Sequence, residues 1–242
     1  MIDFHVFGSV EELSQGAAQL IYNCALQSVG ERGRFTIAFS GGSTPKRLFE
    51  ILEDEPYRSL FPWENTVVFW GDDRAVGPDH EWSNYKLAYD SLLSKVSVPE
   101  QNVFRIKGEL GASEAATDMH RNLMNVFDDD GLPCFDLVLQ GMGDDGHTAS
   151  LFPGTDDLDV TDWVVPVFDP PANPAVDRVT LTFPVLNAAR MALFLAAGQG
   201  KRDKLAEIMN DPSAWDRYPA ARVEAQETLW LVDEAALGVP GG

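Results

Sequence analysis

The segment GMGDDGHTASLFPG, residues 141–154, sets one histidine among glycines and beside two aspartates. An ordinary imidazole titrates at roughly pH 6.5, so neutral His147 can take a proton from water near neutrality. Asp145 lies two residues earlier and can orient the ring, while Asp144 can point to solvent. Gly143 and Gly146 allow a turn that brings these groups together. Such a set supports general-base activation of water. The bland alternative, a hydrogen-bonded core histidine, does not call for flanking glycines. His5, His80 and His120 fall in a first strand, a polar loop and a helical pattern, and do not make a three-histidine zinc set. Asp72, Asp73 and Asp145 are magnesium-type ligands, but nearby cations can serve an anion without a metal. The expectation is no metal and no cofactor.

A second polar loop, Ser40, Gly41, Gly42, Ser43 and Thr44, precedes a helix expected near Pro45. Glycine amides, a helix N-terminus and two hydroxyls form a credible phosphate cradle. The loop matches neither the P-loop pattern nor GxGxxG. Its structural alternative is a tight turn with Thr44 as helix cap. Arg74 follows two aspartates at a strand end. It can grip phosphate or polarise an oxyanion, or it can be an ordinary surface pair. Arg178 and Lys201 are further candidates for holding an anion; Arg34, Lys46 and Arg202 are cations of unassigned direction. Ser150 has no GxSxG elbow around it and reads as a cap or a ligand hydrogen bonder.

Short apolar runs alternate with helical patterns and must position these groups. FHVFG, RFTIAFSG, NTVVFWGDD, CFDLVLQGMG, MALFLAAG and ETLWLVD read as strands, as do 163–168 and 178–182, with NVFRIKG a further short one. Helices are expected over EELSQGAAQLIYNCALQSVGERG, PKRLFEILED, NYKLAYDSLLSKV (capped by Ser83 or Asn84), EAATDMHRNLMNVF and KRDKLAEIMN. This rhythm predicts an α/β fold with an open, largely parallel sheet. SGGSTP, GDDR and GMGDDGH each end a strand, and the carboxyl ends of parallel strands form the ligand crevice. No low-complexity linker divides the chain, so one catalytic domain over 1–242 is expected. Residues 169–178, DPPANPAVDR, read as a lid or as a proline-pinned surface connection.

With 38 acidic against 18 basic residues the net charge is −20. That field repels nucleic acid and anionic membranes, and admits an anionic metabolite only at a local basic cluster. Cys24 and Cys134 do not make a disulfide scaffold, so a reducing, cytoplasmic setting is expected. MIDFHVFGSVEEL lacks the basic start of a signal peptide, and no apolar run approaches membrane-spanning length. Composition does not determine oligomeric state.

FSGGSTP, FWGDDRAVGPDHEWSN, GMGDDGHTASLFPG, RVTLTFPVLN and TLWLVDEAA occur in order over nearly the whole chain. In these segments the sequence resembles the 6-phosphogluconolactonase family. The resemblance implies a sheet with helices on both faces, similar to ribose-phosphate isomerases and glucosamine-6-phosphate deaminases. It also implies hydrolysis of 6-phospho-D-glucono-1,5-lactone in the oxidative pentose phosphate pathway, with this phosphorylated sugar lactone as partner. His147 falls on the family's water-activating histidine, and Arg74 and Lys201 on its basic residues. Asp73 stands where the family usually has glutamate, and YPAARV, with Arg222, is a loose match. Two rivals are a glucosamine-6-phosphate deaminase or isomerase and a non-catalytic sugar-phosphate binder. The deaminases usually follow DGH with Phe, Asn, Glu and Pro, whereas here Thr148 to Pro153 supply no acid. A DNA regulator would carry a basic or helix-turn-helix module, and none is evident.

Overall fold

Phe35–Phe39 (β2) and Thr66–Trp70 (β3) are buried at every position. Continuous β-branched and aromatic runs of this kind suit parallel strands covered on both faces. The computed structural model describes residues 3–127 and 131–238. The outer ends of the expected 1–242 domain lie outside the described residues. β2 and β3 join Asp3–Phe7 (β1), Leu137–Gly141 (β5), Met191–Ala196 (β8) and Glu227–Asp233 (β9) in a six-stranded parallel sheet ordered β1-β9-β8-β5-β2-β3. The helices are Val10–Arg32 (α1), Ser43–Leu52 (α2), Tyr57–Leu60 (α3), Asn84–Ala88 (α4), Ala112–Val126 (α5), Phe183–Ala188 (α6), Arg202–Asn210 (α7), Ala214–Arg217 (α8) and Glu234–Leu237 (α9). The chain steps outward from β2 to β3 and then returns to β5 on the other side of β2. Right-handed crossovers in these two directions put helices on opposite faces. They also make the β2–β5 boundary the switch point where a crevice opens.

NTVVFWGDDR is not one strand. β3 stops at Trp70, and Asp72–Arg74 (β4) joins an antiparallel sheet ordered β4-β7-β6, with Val164–Val167 as β6 and Arg178–Leu181 as β7. Gly71 links the two sheets. Its N–H donates to the Phe39 carbonyl, and its own carbonyl accepts from Leu181, both at 2.8 Å. This turn swings Asp72 and Arg74 over the end of the large sheet.

Several local expectations change. α2 begins at Ser43 rather than Pro45, with Gly42 (φ 106°) as its cap, so Thr44 is not the cap. Pro45 is tolerated there because first-turn N–H groups have no intrahelical acceptor. NYKLAYDSLLSKV forms α4 and then a π-helical turn, Tyr89–Leu93, with the Ser83 hydroxyl capping Lys86 N–H. NVFRIKG makes only a single bridge, Val103 to Val68, along the β3 edge. FPVLNA forms α6, a short helix the apolar pattern did not announce. Trp230 stacks on Phe194 at 4.0 Å within the core, and Phe69 meets Phe135 edge-on at 5.4 Å.

Candidate active site

A cavity of about 250 Å³ opens at the carboxyl ends of β2 and β5. The loop after β2 contributes Ser40, Gly41 and Gly42; β4 contributes Asp72 and Arg74; α4 contributes Asn84. The β5 loop supplies Gly143, His147 and Ala149, β7 supplies Arg178, and Lys201 closes the rim ahead of α7. A larger groove, about 880 Å³, runs past Tyr85, Tyr89 and Arg105, but its lining includes no histidine or cysteine. Convergent chemistry, rather than volume, marks the smaller cavity as the site.

The β5 loop turns back on itself. Gly143 N–H donates to the His147 carbonyl at 2.8 Å, and Gly146 N–H to the Gly143 carbonyl at 3.1 Å. Gly146 has φ 88°, a region where side chains are strained, and the Tyr218 ring fills the space beneath it. One oxygen of Asp145 accepts both from His147 Nδ1, at 2.6 Å, and from the His147 backbone N–H, at 3.0 Å. Burial opposes ionisation of Asp145, but these hydrogen bonds outweigh it and hold the carboxyl below its ordinary value. An ionised carboxylate at Nδ1 requires the proton there and leaves Nε2 as the acceptor. Phe152 packs against the ring at 4.6 Å. Ala149, which lines the cavity, has φ 49°, an uncommon conformation for a residue with a Cβ.

The cations come from separate elements. Arg74 and Arg178 are cross-strand partners on β4 and β7, an arrangement in which like charges repel. Arg178 is 4% exposed. Burial pushes its guanidinium below the ordinary value, against the charge of Asp72. Its Nε and that of Arg74 are buried without a hydrogen-bond partner. Arg74 is not in a surface Arg–Asp pair; its Nη1 donates to the carbonyl of Trp82 at 2.9 Å and to Asn84 Oδ1 at 2.7 Å. Lys201 pairs with Asp144 at 2.5 Å. Asp144 is exposed, as expected, and from there its carboxylate reaches Lys201 at the rim.

Ser43 and Thr44 sit in the first turn of α2, outside the cavity lining. Of the five residues expected to form a cradle, Ser40, Gly41 and Gly42 line the cavity. Ser150 is neither a cap nor free for a ligand: its buried hydroxyl donates to Asp72 at 2.6 Å. Arg222 lies outside the lining, over Phe183 and Trp215. Arg34, Lys46 and Arg202 also lie outside it. Residues 169–177 form an irregular connection, and the Pro174 carbonyl accepts from Arg178 at 3.3 Å. Asp72, which the sequence offers only as a magnesium-type ligand, and Asn84, which it offers only as a helix cap, both line the cavity. Asn84 lies in a helix-start pattern, which looks the same whether the side chain caps or faces a cavity.

Asp73 serves the scaffold. Its carboxylate accepts from the backbone N–H groups of Arg74, Asn84 and Tyr85 at 2.8, 2.7 and 3.0 Å, and from the Ser83 hydroxyl at 3.1 Å. Burial nonetheless pushes its pKa from 3.8 up to about 6. Between these values the folded state keeps a proton that the unfolded chain loses, so this group's contribution to stability falls as pH rises. Asp73→Asn removes that slope. Measured by urea unfolding, the stability of the variant relative to the parent should rise by roughly 2 kcal/mol from pH 4 to 6. A flat difference would show that the shift is absent.

Among the described residues no three of His, Cys, Asp and Glu gather as a metal site. Residues 8–230 match the family described as glucosamine-6-phosphate isomerases/6-phosphogluconolactonase. The chain belongs to this family. It is 41% identical over 214 residues to a 6-phosphogluconolactonase of Nostoc sp., with 86% of each chain covered. The crystal structure of the devB protein superposes with a TM-score of 0.90 at 34% identity, covering 98% of this chain and 99% of that one. A monomeric glucosamine-6-phosphate deaminase has a TM-score of 0.80 at 18% identity, covering 98% and 99%, and shares the fold. The expected mostly parallel sheet and family are thus found.

Proposed function

We propose that this chain hydrolyses 6-phospho-D-glucono-1,5-lactone to 6-phospho-D-gluconate, with His147 as general base. The observation that carries this reading is the Asp145–His147 pair facing a cavity that also holds Arg74, Arg178 and Lys201. A lactone is an activated cyclic ester, so one positioned water suffices as nucleophile. His147 Nε2 takes the water proton as the oxygen attacks the carbonyl carbon, and Asp145 stabilises the imidazolium that forms. Arg74 stabilises the tetrahedral oxyanion. As the intermediate collapses, the carbonyl–ring-oxygen bond breaks and His147 returns its proton to the leaving alkoxide. Ser40–Gly42, Arg178 and Lys201 hold the remote phosphate, and residues 169–177 serve as the lid.

Lys201 has to leave Asp144 to meet the phosphate. Asp144 is 72% exposed, so this pair is weak and readily exchanged. Lys201→Met should raise KM for the phosphorylated lactone about 10- to 100-fold, the worth of one charged hydrogen bond. KM for unphosphorylated glucono-1,5-lactone should barely change. Equal effects on both would move the phosphate elsewhere.

The deaminase reading fares worse at the same loop. Thr148, where an acid-bearing segment would begin, donates its hydroxyl to Gln140 Oε1 at 2.7 Å, and no carboxylate follows before Pro153. The deciding experiment measures lactone opening above its spontaneous rate beside ammonia release from glucosamine 6-phosphate. Lactone hydrolysis without ammonia is expected; ammonia at a comparable rate overturns the assignment. The same reading expects the reaction in a reducing, cytoplasmic setting, which suits two cysteines that form no disulfide. Burial pushes the Cys24 thiol up to about 11, which keeps it inert. No described helix is long and apolar enough to cross a membrane.

A further inference from the structure

Arg74 carries no carboxylate partner among the described ion pairs, although Asp72 and Asp73 immediately precede it. The acceptors of its guanidinium are both neutral: the Trp82 carbonyl and the Asn84 amide oxygen. Asn84 is 3% exposed and fixed on every side. Its Nδ2 donates to the Asp72 carbonyl at 2.9 Å, and its backbone N–H donates to Asp73 at 2.7 Å. Arginine only donates and a carbonyl only accepts, so this amide has one workable orientation. The loop after β2 closes the third side. A Cβ on Gly41 would lie 1.9 Å from Asn84 Oδ1 and 2.4 Å from its Cγ, so glycine is required for the amide to sit there.

The choice of an amide has an electrostatic consequence. Arg178, opposite Arg74 in register, pushes the Arg74 guanidinium away. Some acceptor must hold it in place. A carboxylate would do so, but would also neutralise the charge that an oxyanion needs. A neutral oxygen holds the group and leaves its charge to the substrate. We infer that Asn84 is a positioning residue for the hydrolysis: its amide seats Arg74 beside the reacting carbonyl with the guanidinium charge left open to the oxyanion. This rests on the reading of Arg74 in the proposed function.

The test is a double-mutant cycle on lactone hydrolysis with Asn84→Ala, Arg74→Ala and both together. Asn84→Ala should lower kcat/KM about 10- to 100-fold in the parent, the effect of misplacing a catalytic group by about 1 Å. In the Arg74→Ala background the same change should cost under ~2-fold, the scatter expected of independent sites. Added guanidinium ion should partly rescue Arg74→Ala and fail to rescue the double variant, because the amide that seats the ion is gone. A purely scaffolding role would reduce activity equally in both backgrounds and leave rescue unchanged; either result overturns the inference. If Asn84→Ala does not fold, Asn84→Asp, of the same shape, takes its place. Its carboxylate should pair with Arg74 and lower kcat/KM at least about 10-fold, with the loss vanishing in the Arg74→Ala background. Parent-like activity of Asn84→Asp overturns the inference as well. Arg74→Ala with unchanged kcat/KM would instead remove Arg74 from the proposed mechanism, so the two failures are distinguishable.

Discussion

His147→Ala should lower kcat by roughly two to four orders of magnitude, the usual worth of a positioned general base. Nothing else near the β5 loop replaces it. Asp145 is directed at the ring rather than at the cavity, and the carboxylate of Asp72 accepts from Ser150. Arg74, Arg178 and Lys201 are untouched by the change, so KM for the phosphorylated lactone should move little. Folding should survive because the ring packs against Phe152 on one side and stays 28% exposed on the other. The lactone opens without enzyme, so the rate is read above that background. A purified variant with parent-like turnover would remove His147 from the reaction.

Gly143→Ala should lower kcat about 100-fold with near-normal stability. An added Cβ would lie 2.1 Å from His147 Nδ1 and 2.7 Å from the Asp145 oxygen that accepts from it. Neither distance is tolerable, so the ring or the carboxylate must shift, and a displacement of about 1 Å in a catalytic group can cost 100-fold in rate. Gly143 is not among the residues with positive φ, so alanine meets no backbone strain. The damage is confined to the base and its orienting partner. Gly30→Ala supplies the control. Nothing lies within 4 Å of its missing Cβ on α1, so activity should be unchanged, with a gain of up to about 1 kcal/mol in helix stability. Parent-like kcat in Gly143→Ala would mean that the Asp145–His147 contact is dispensable.

Much of this arrangement is written locally. Strands β2, β5 and β8 are short apolar runs, and α1 is bounded by Ser9 and Gly33, a hydroxyl cap and a left-handed glycine. Signals of this kind act over a few residues and survive without tertiary context. The same is true of Asp145 and His147. Two residues apart in a glycine turn, they can meet whatever else the chain does, which is why the base and its partner were legible together.

What tertiary structure decided acts across longer separations. NTVVFWGDDR is continuous in apolar and polar pattern, yet it divides at Gly71, whose N–H donates to Phe39 in one sheet while its carbonyl accepts from Leu181 in the other. That division, and no local feature, sets Arg74 opposite Arg178. Ser43 and Thr44 follow the glycines directly in sequence, yet the packed chain takes them into the first turn of α2 and out of the cavity lining. Lys201 meets Asp144 across 57 residues, and Asn84 is brought against Gly41 by the docking of α4 on β4 and α2. Periodicity records which face of an element is apolar. Strand register and the direction of each polar side chain are determined only when the elements pack, because the partners that satisfy those groups come from distant parts of the chain.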